Sequence, residues 1–292
     1  MSPAYPTSLG QIEVWRRATG VTVDEARKRF VQFVTLVSIA GRPAVGGTLA
    51  FKGGNALRFL FGSPRSTVDL DFTVTGGLPD TEPDLRRVFD DALRTGGRKH
   101  GIKVRCQRVH RNPPSPAATR PTYEIKVGFQ FPGDRYFADY EATDRAVPSA
   151  IVLEVSFNDV VCETEYRPLG PDDGATIRAC TLNDIVAEKL RALLQQVPRG
   201  RTRPQDVFDI ARIVRLPAPA LDLGRVAEYL VRKCVEREVT ATRAAFRNPE
   251  VERRAGTGYD DILKLTQGEF PPFAEAWAVV LSLVDRLDIP DG

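Results

Sequence analysis

The stretch LAFKGGNALRFLFGSPRSTVDLDF, from Leu49 to Phe72, constrains this chain more than any other. Leu49–Phe51 reads as a short strand and Ala56–Phe61 as a short helix, with Asn55 as its N-cap. Gly62-Ser63-Pro64 carries turn chemistry, and Val68–Val74 alternates apolar and polar as a half-buried strand does. Gly53 and Gly54 fall between strand and helix. Glycines there let the backbone approach a ligand closely, and the N–H groups at a helix start favour a phosphate. A plain tight turn is the competing reading. Asp69 and Asp71, two apart on a strand, project to one side while Leu70 and Phe72 point into the core. Carboxylates that close repel, and a cation between them relieves the repulsion. Two solvated aspartates on a surface strand give the same pattern. Taken together, strand, diglycine, helix, turn and DxD strand set a phosphate cradle beside a pair of divalent-metal ligands.

The rest of the chain shapes what that unit can be part of. With 292 residues, 42% of them hydrophobic, it can bury one large core or two smaller ones. Residues 8–42 read as two helices, 84–94 as an amphipathic helix, and 102–109, 123–131 and 151–157 as strands. From Thr181 the texture turns helical: Thr181 with Asp184 signals a cap, Pro204 opens the next helix, and two more follow near 224–237 and 273–287. The expectation is an α+β fold, with a helical lead-in over 1–45, a mixed β-sheet with flanking helices over 46–180, and a helical domain over 181–292. No apolar run approaches the roughly 18 residues of a membrane helix. The N-terminus lacks the pattern of a secretory signal, so a cytoplasmic protein is expected.

Composition narrows the chemistry. Four scattered cysteines fit neither a disulfide framework nor a zinc site, and two histidines leave little for a histidine-based triad. A metal, if used, is held by oxygen, which favours magnesium or manganese. Net charge is only +3, but from Ala92 to Tyr123 there is no acidic residue, while Arg94, Arg98, Lys99, Lys103, Arg105, Arg108, Arg111 and Arg120 crowd the window. Arg199, Arg201 and Arg203 form a second cluster. Each is either a solvated face or a surface that tracks nucleic-acid phosphates. On the predicted helix 181–197, Lys189 lies four residues from both Ile185 and Leu193, on or beside the inward stripe. There it either snorkels outward or supplies a point charge to an anion. Asp206 complements its helix dipole and lines up with the inward Ile210 and Ile213.

KGGNALR followed by SPRSTVDLDF resembles the first motif of the nucleotidyltransferase superfamily. More narrowly, it is similar to the AbiEii/MenT family of toxin nucleotidyltransferases, the toxin halves of type IV toxin–antitoxin and phage-abortive systems. AEKLRAL and RPQDVFDI resemble later segments of that family, so the likeness runs from Leu49 to Ile213. It implies a nucleotidyltransferase fold and an NTP whose triphosphate rests on Gly53, Gly54, Asn55 and Lys189, with Ser66 and Thr67 as further phosphate contacts. It implies magnesium or manganese on Asp69 and Asp71. Glu154 stands where a third acid is expected, as metal ligand or general base, although an ordinary strand residue would look the same. Asp206 matches an active-site aspartate, with Gln205 where the family has arginine and Arg203 as a substitute. The implied reaction moves a nucleoside monophosphate to RNA, most plausibly the tRNA 3′ end, with Arg98, Lys99, Lys103, Arg105 and Arg108 on its phosphates and a cognate antitoxin as partner. The rivals are the same chemistry on a small-molecule or protein hydroxyl, and a non-catalytic RNA- or partner-binding protein of this fold.

Overall fold

The computed structural model describes residues 5–115, 121–170, 174–216 and 221–292; Arg120 of the basic window lies outside them. The chain divides into two compact units, one formed by 1–62, 68–159 and 165–179, the other by 63–67, 160–164 and 180–292.

In the first unit, α1 (Gln11–Thr19) and α2 (Val23–Ala40) are the two helices expected before residue 42, followed by a short α3 (Pro43–Gly46). Thr22 caps α2 by accepting from the Glu25 amide at 3.2 Å. Next come β1 (Leu49–Lys52), α4 (Gly53–Phe61), β2 (Leu70–Val74) and α5 (Glu82–Lys99). The strands β3 (Lys103–Asn112), β4 (Thr122–Gln130), β5 (Ala150–Ser156), β6 (Thr164–Pro168) and β7 (Thr176–Cys180) complete a mixed seven-stranded sheet in the order β3-β4-β5-β2-β1-β7-β6. β2 runs parallel to β5 and antiparallel to β1, while β4 is antiparallel to both its neighbours. The expected mixed sheet with flanking helices is therefore the observed fold; β6 and β7, whose five-residue runs carry little pattern, were not foreseen.

One face of this sheet builds the core. Phe51, Leu70, Phe72, Tyr123, Ile125, Leu153 and Val155 are buried there with Phe30 and Phe33 of α2 and Phe89 of α5. α5 runs five residues beyond its expected end, through Gly96 and Gly97. A Cβ at Gly96 would lie 1.8 Å from Ser38 Oγ, so glycine serves close α2–α5 packing rather than ending the helix. Period-two alternation sends the residues between the core positions to the opposite face.

The second unit is helical: α6 (Leu182–Leu194), α7 (Gln196–Arg199), α8 (Pro204–Val214), α9 (Leu223–Val235), α10 (Arg243–Phe246), α11 (Pro249–Gly256) and α12 (Phe273–Asp285), with a 3-10 turn at Tyr259–Leu265. Thr181 caps α6 through the Asp184 amide at 3.3 Å, and Pro204 opens α8. α6 packs on α8 and α9, and α8 on α12, around Leu190, Phe208, Leu230 and Val280.

Candidate active site

The join between β1 and α4 needs glycine twice over. Gly53 has φ +75°, and a Cβ there would sit 2.0 Å from Asp71 Oδ2. The Asp71 carboxylate therefore lies directly against the Gly53 backbone, and any side chain at 53 would displace it. Because Gly53 turns the chain early, α4 begins two residues ahead of Asn55, and no side chain caps it. Asn55 is thus not the expected N-cap. It is fully buried, donates its amide to the Asp69 carbonyl at 2.6 Å and accepts from Arg29 at 3.3 Å. The link to Asp69 ties the first turn of α4 to the start of β2. Arg29 and Arg58 are both buried. Burial, and then the charge of Arg58, pull the Arg29 guanidinium down to about 10, while Glu25 opposes; burial likewise lowers Arg58.

β2 starts at Leu70, so only Asp71 of the DxD pair is inside the strand; Asp69, partly buried, sits one residue before it. Leu70 and Phe72 are fully buried in the core, which puts Asp71 on the opposite face. Register then builds a row across three strands. Asp71 pairs with Glu154 on β5, and Glu154 pairs with Glu124 on β4. Directly opposed residues share a face, so three carboxylates stand side by side, with Glu154 and Glu124 exposed. Burial, and then the charge of Glu124, raise the Asp69 carboxyl. Glu124 was not foreseen. Its alternation in YEIKVGFQF marks it as outward, but only the β4–β5 register brings it beside Glu154.

Among the described residues, no three His, Cys, Asp or Glu side chains converge closely enough to hold a metal alone. Asp69, Asp71 and Glu154 are therefore no ready-made cage. The donor set still suits magnesium, which takes one or two carboxylates and completes its octahedron with water and substrate phosphates.

Lys189, Asp206, Ser66 and Thr67 belong to the second unit. Lys189 Nζ lies 2.7 Å from both Asp206 Oδ1 and Asp209 Oδ2, and Arg65 makes a two-pronged bond to Asp209 at 2.8 and 2.6 Å. All four are buried, two cations against two anions. Burial alone would lower Lys189, but Asp206 and Asp209 outweigh it and raise the ammonium. Burial would raise Asp209, but Lys189 and Arg65 hold it below the usual carboxylate range. Arg65, which binds Asp209, and Asp209 itself, one helical turn after Asp206, are the two members of this cluster that were missed. Ser66 donates its amide to the Leu265 carbonyl at 2.7 Å, within the same unit.

Three cations of the acid-free window pair in space with acids from outside it. Arg94 pairs with Asp90, Arg98 with Glu141 and Arg105 with Asp144. Arg105 is 2% exposed and stacks on Tyr140, so it does not belong to a surface for RNA. Lys103 donates to the Ala138 carbonyl at 2.8 Å. Lys99 and Arg108 are exposed. Around the second cluster, burial and the charges of Arg237, Arg191, Arg201 and Arg203 lower Arg199, the mark of arginines gathered together.

A mixed sheet whose strand–diglycine–helix join abuts a carboxylate-bearing strand is the frame of a nucleotidyltransferase. The fold matches MenT4, a nucleotidyltransferase toxin from Mycobacterium tuberculosis, at 17% identity over 95% of this chain and 90% of that one, with a TM-score of 0.60. Two Helicobacter pylori structures are also similar: one at 17% identity over 91% and 95% of the two chains, TM-score 0.52, and JHP933 at 16% over 87% and 88%, TM-score 0.49. No curated protein matches the chain in sequence. The profile of the AbiEii nucleotidyl transferase toxins of type IV toxin–antitoxin systems matches residues 35–281. The chain belongs to that family. No helix among the described residues is long and apolar enough to cross a membrane.

Proposed function

We propose that this protein transfers a nucleoside monophosphate from an NTP to an RNA hydroxyl, with the tRNA 3′ end as acceptor, and releases pyrophosphate. One observation carries the reading: the Asp71 carboxylate packs against Gly53 at the start of α4, so an acid suited to a divalent ion adjoins amides suited to a polyphosphate. Asp69 and Asp71 would hold magnesium, which supplies charge neutralisation at the phosphate oxygens. The acceptor oxygen bonds to the α-phosphorus as the bond to the bridging oxygen of pyrophosphate breaks. Glu154, exposed beside Asp71, takes the proton of the attacking hydroxyl. The assignment of Lys189, Asp206, Ser66 and Thr67 to nucleotide handling rests on the family resemblance.

RNA is favoured as acceptor by cations suited to a phosphate backbone: exposed Lys99 and Arg108 in the first unit, and the gathered Arg199, Arg201 and Arg203 in the second. A type IV setting implies a cognate antitoxin, and an enzyme acting on tRNA works in the cytoplasm.

The test is to incubate the protein with each labelled NTP, magnesium and total RNA. The expected product is tRNA labelled by at least one nucleotide, with labelling lost on chelation. Label that enters protein or small molecules but never RNA would overturn the acceptor; no transfer to anything would overturn the enzyme.

A further inference from the structure

Lys52, the residue before the diglycine, is absorbed by none of these roles. Its Cα is the register partner of Asp71, so the two side chains leave the sheet on the same face. It also immediately precedes Gly53, the residue against which Asp71 packs. Lys52 Nζ pairs with Asp159, which also accepts from Thr73 Oγ1 at 3.4 Å. Thr73 lies two residues after Asp71 on β2 and shares its face. Lys52 and Asp159 are each 20% exposed, so water still reaches the pair. Lys189, in contrast, is buried in a cluster whose charges already balance.

We propose that Lys52 is a phosphate-binding residue, aimed by Asp159 and Thr73 so that its ammonium meets the non-bridging oxygens of the triphosphate held at Gly53 and Gly54. The inference rests on the nucleotide-binding reading above and adds to it the cation on the acids' own sheet face. Lysine suits the task as a compact, rotatable point charge that can move from a carboxylate to a phosphate without reshaping the backbone. Electrostatically, it offsets the repulsion between a polyanion and the row Asp71, Glu154 and Glu124.

The experiment measures binding of the four ribonucleoside triphosphates, in magnesium and without RNA, to the full-length protein and to Lys52→Met and Lys52→Arg. The diphosphate and monophosphate of the tightest binder are measured as well. Lys52→Met should weaken triphosphate binding about 10- to 100-fold, the scale of one charge-assisted hydrogen bond. The monophosphate should lose much less, and Lys52→Arg should keep most of the affinity. Thermal unfolding of each variant separates this from a folding defect, and a merely structural lysine would lower all three phosphate states alike. Equal losses across the series, or triphosphate binding unchanged in Lys52→Met, would overturn the role of Lys52 while leaving the nucleotide site standing. Wild-type protein that binds no nucleotide would overturn both.

Discussion

On the sheet face opposite the core, Asp71, Glu154 and Glu124 stand in register on three neighbouring strands, and nearby Asp69 is raised by burial and by the charge of Glu124. In the helical unit, Asp206 and Asp209 meet Lys189 and Arg65 in a buried cluster, where Asp209 is lowered and Lys189 raised. Both regions crowd carboxylates. On the proposed reading, a magnesium–nucleotide complex would bind at the first; the second cancels its field with side chains of the same unit. A site that recruits a cation gains affinity from unrelieved repulsion, whereas a cluster that holds helices together gains from neutrality. On the proposed reading, the same residue types would serve opposite ends.

The largest effect that could break this contrast is at Asp71. Asp71→Asn keeps the shape against Gly53 and removes the charge. Transfer activity should fall by about 10²–10⁴, the scale for a positioned catalytic group, with the unfolding midpoint unchanged or raised. A single-turnover assay beside a melting curve checks both. Near-normal activity would mean that the acid row serves no cation, and the two regions would then differ in exposure only.

Next in size is the opposite pattern at Asp209. Asp209→Ala leaves Lys189 short of one partner and Arg65 without its two-pronged acceptor, both in a buried setting. Losing one member of such a cluster costs about 3–5 kcal/mol, read as a lower urea midpoint. Pairing it with Lys189→Met should cost less than the sum of the single changes, because the second substitution removes a charge that the first has stranded. Strict additivity would show that the cluster is not the coupled unit its 2.7 Å contacts describe.

How much of this was legible in the sequence follows from chain distance. Gly53 and Asp71 are joined by a single helix and turn, so their motif spacing nearly dictates their meeting. Glu124 meets Glu154 only through the β4–β5 register, and Arg65 reaches Asp209 across 144 positions; neither pairing leaves a local trace. The basic window misled for the same reason. Its acid-free run is real, but Asp90 just before it and Glu141 and Asp144 farther along the chain lie against it in space, and Arg105 is consumed in the fold. Asn55 was misread by one local detail. A positive φ at Gly53 starts the helix early and turns a capping residue into a buried clamp on the Asp69 carbonyl.

The smallest expected effect is also the one that compares the two regions most directly, since Asp69 and Asp209 give acid-range pH dependences of opposite sign. Asp69 is raised above the ordinary aspartate value of 3.8, so the folded chain binds its proton more readily than the unfolded one. Stability from this group is greatest when it is protonated and falls as pH rises from 3.8 through the folded value. Asp209 is lowered, so its contribution is full above 3.8 and is lost as pH falls through its folded value. Lys189 is raised above 10.5, and its contribution is full below that and is lost as pH climbs through the folded value. Urea midpoints at a series of pH values for wild type and Asp69→Asn should therefore converge or cross in the wild type's favour as pH drops from 7 toward 4. Added salt should flatten that trend, because partly exposed like charges are screened. The buried cluster, out of reach of salt, should keep its acid and alkaline losses unchanged. An Asp69→Asn curve parallel to wild type over this range would mean that Glu124 exerts no field on Asp69, and the acid row would lose its claim to act as one site.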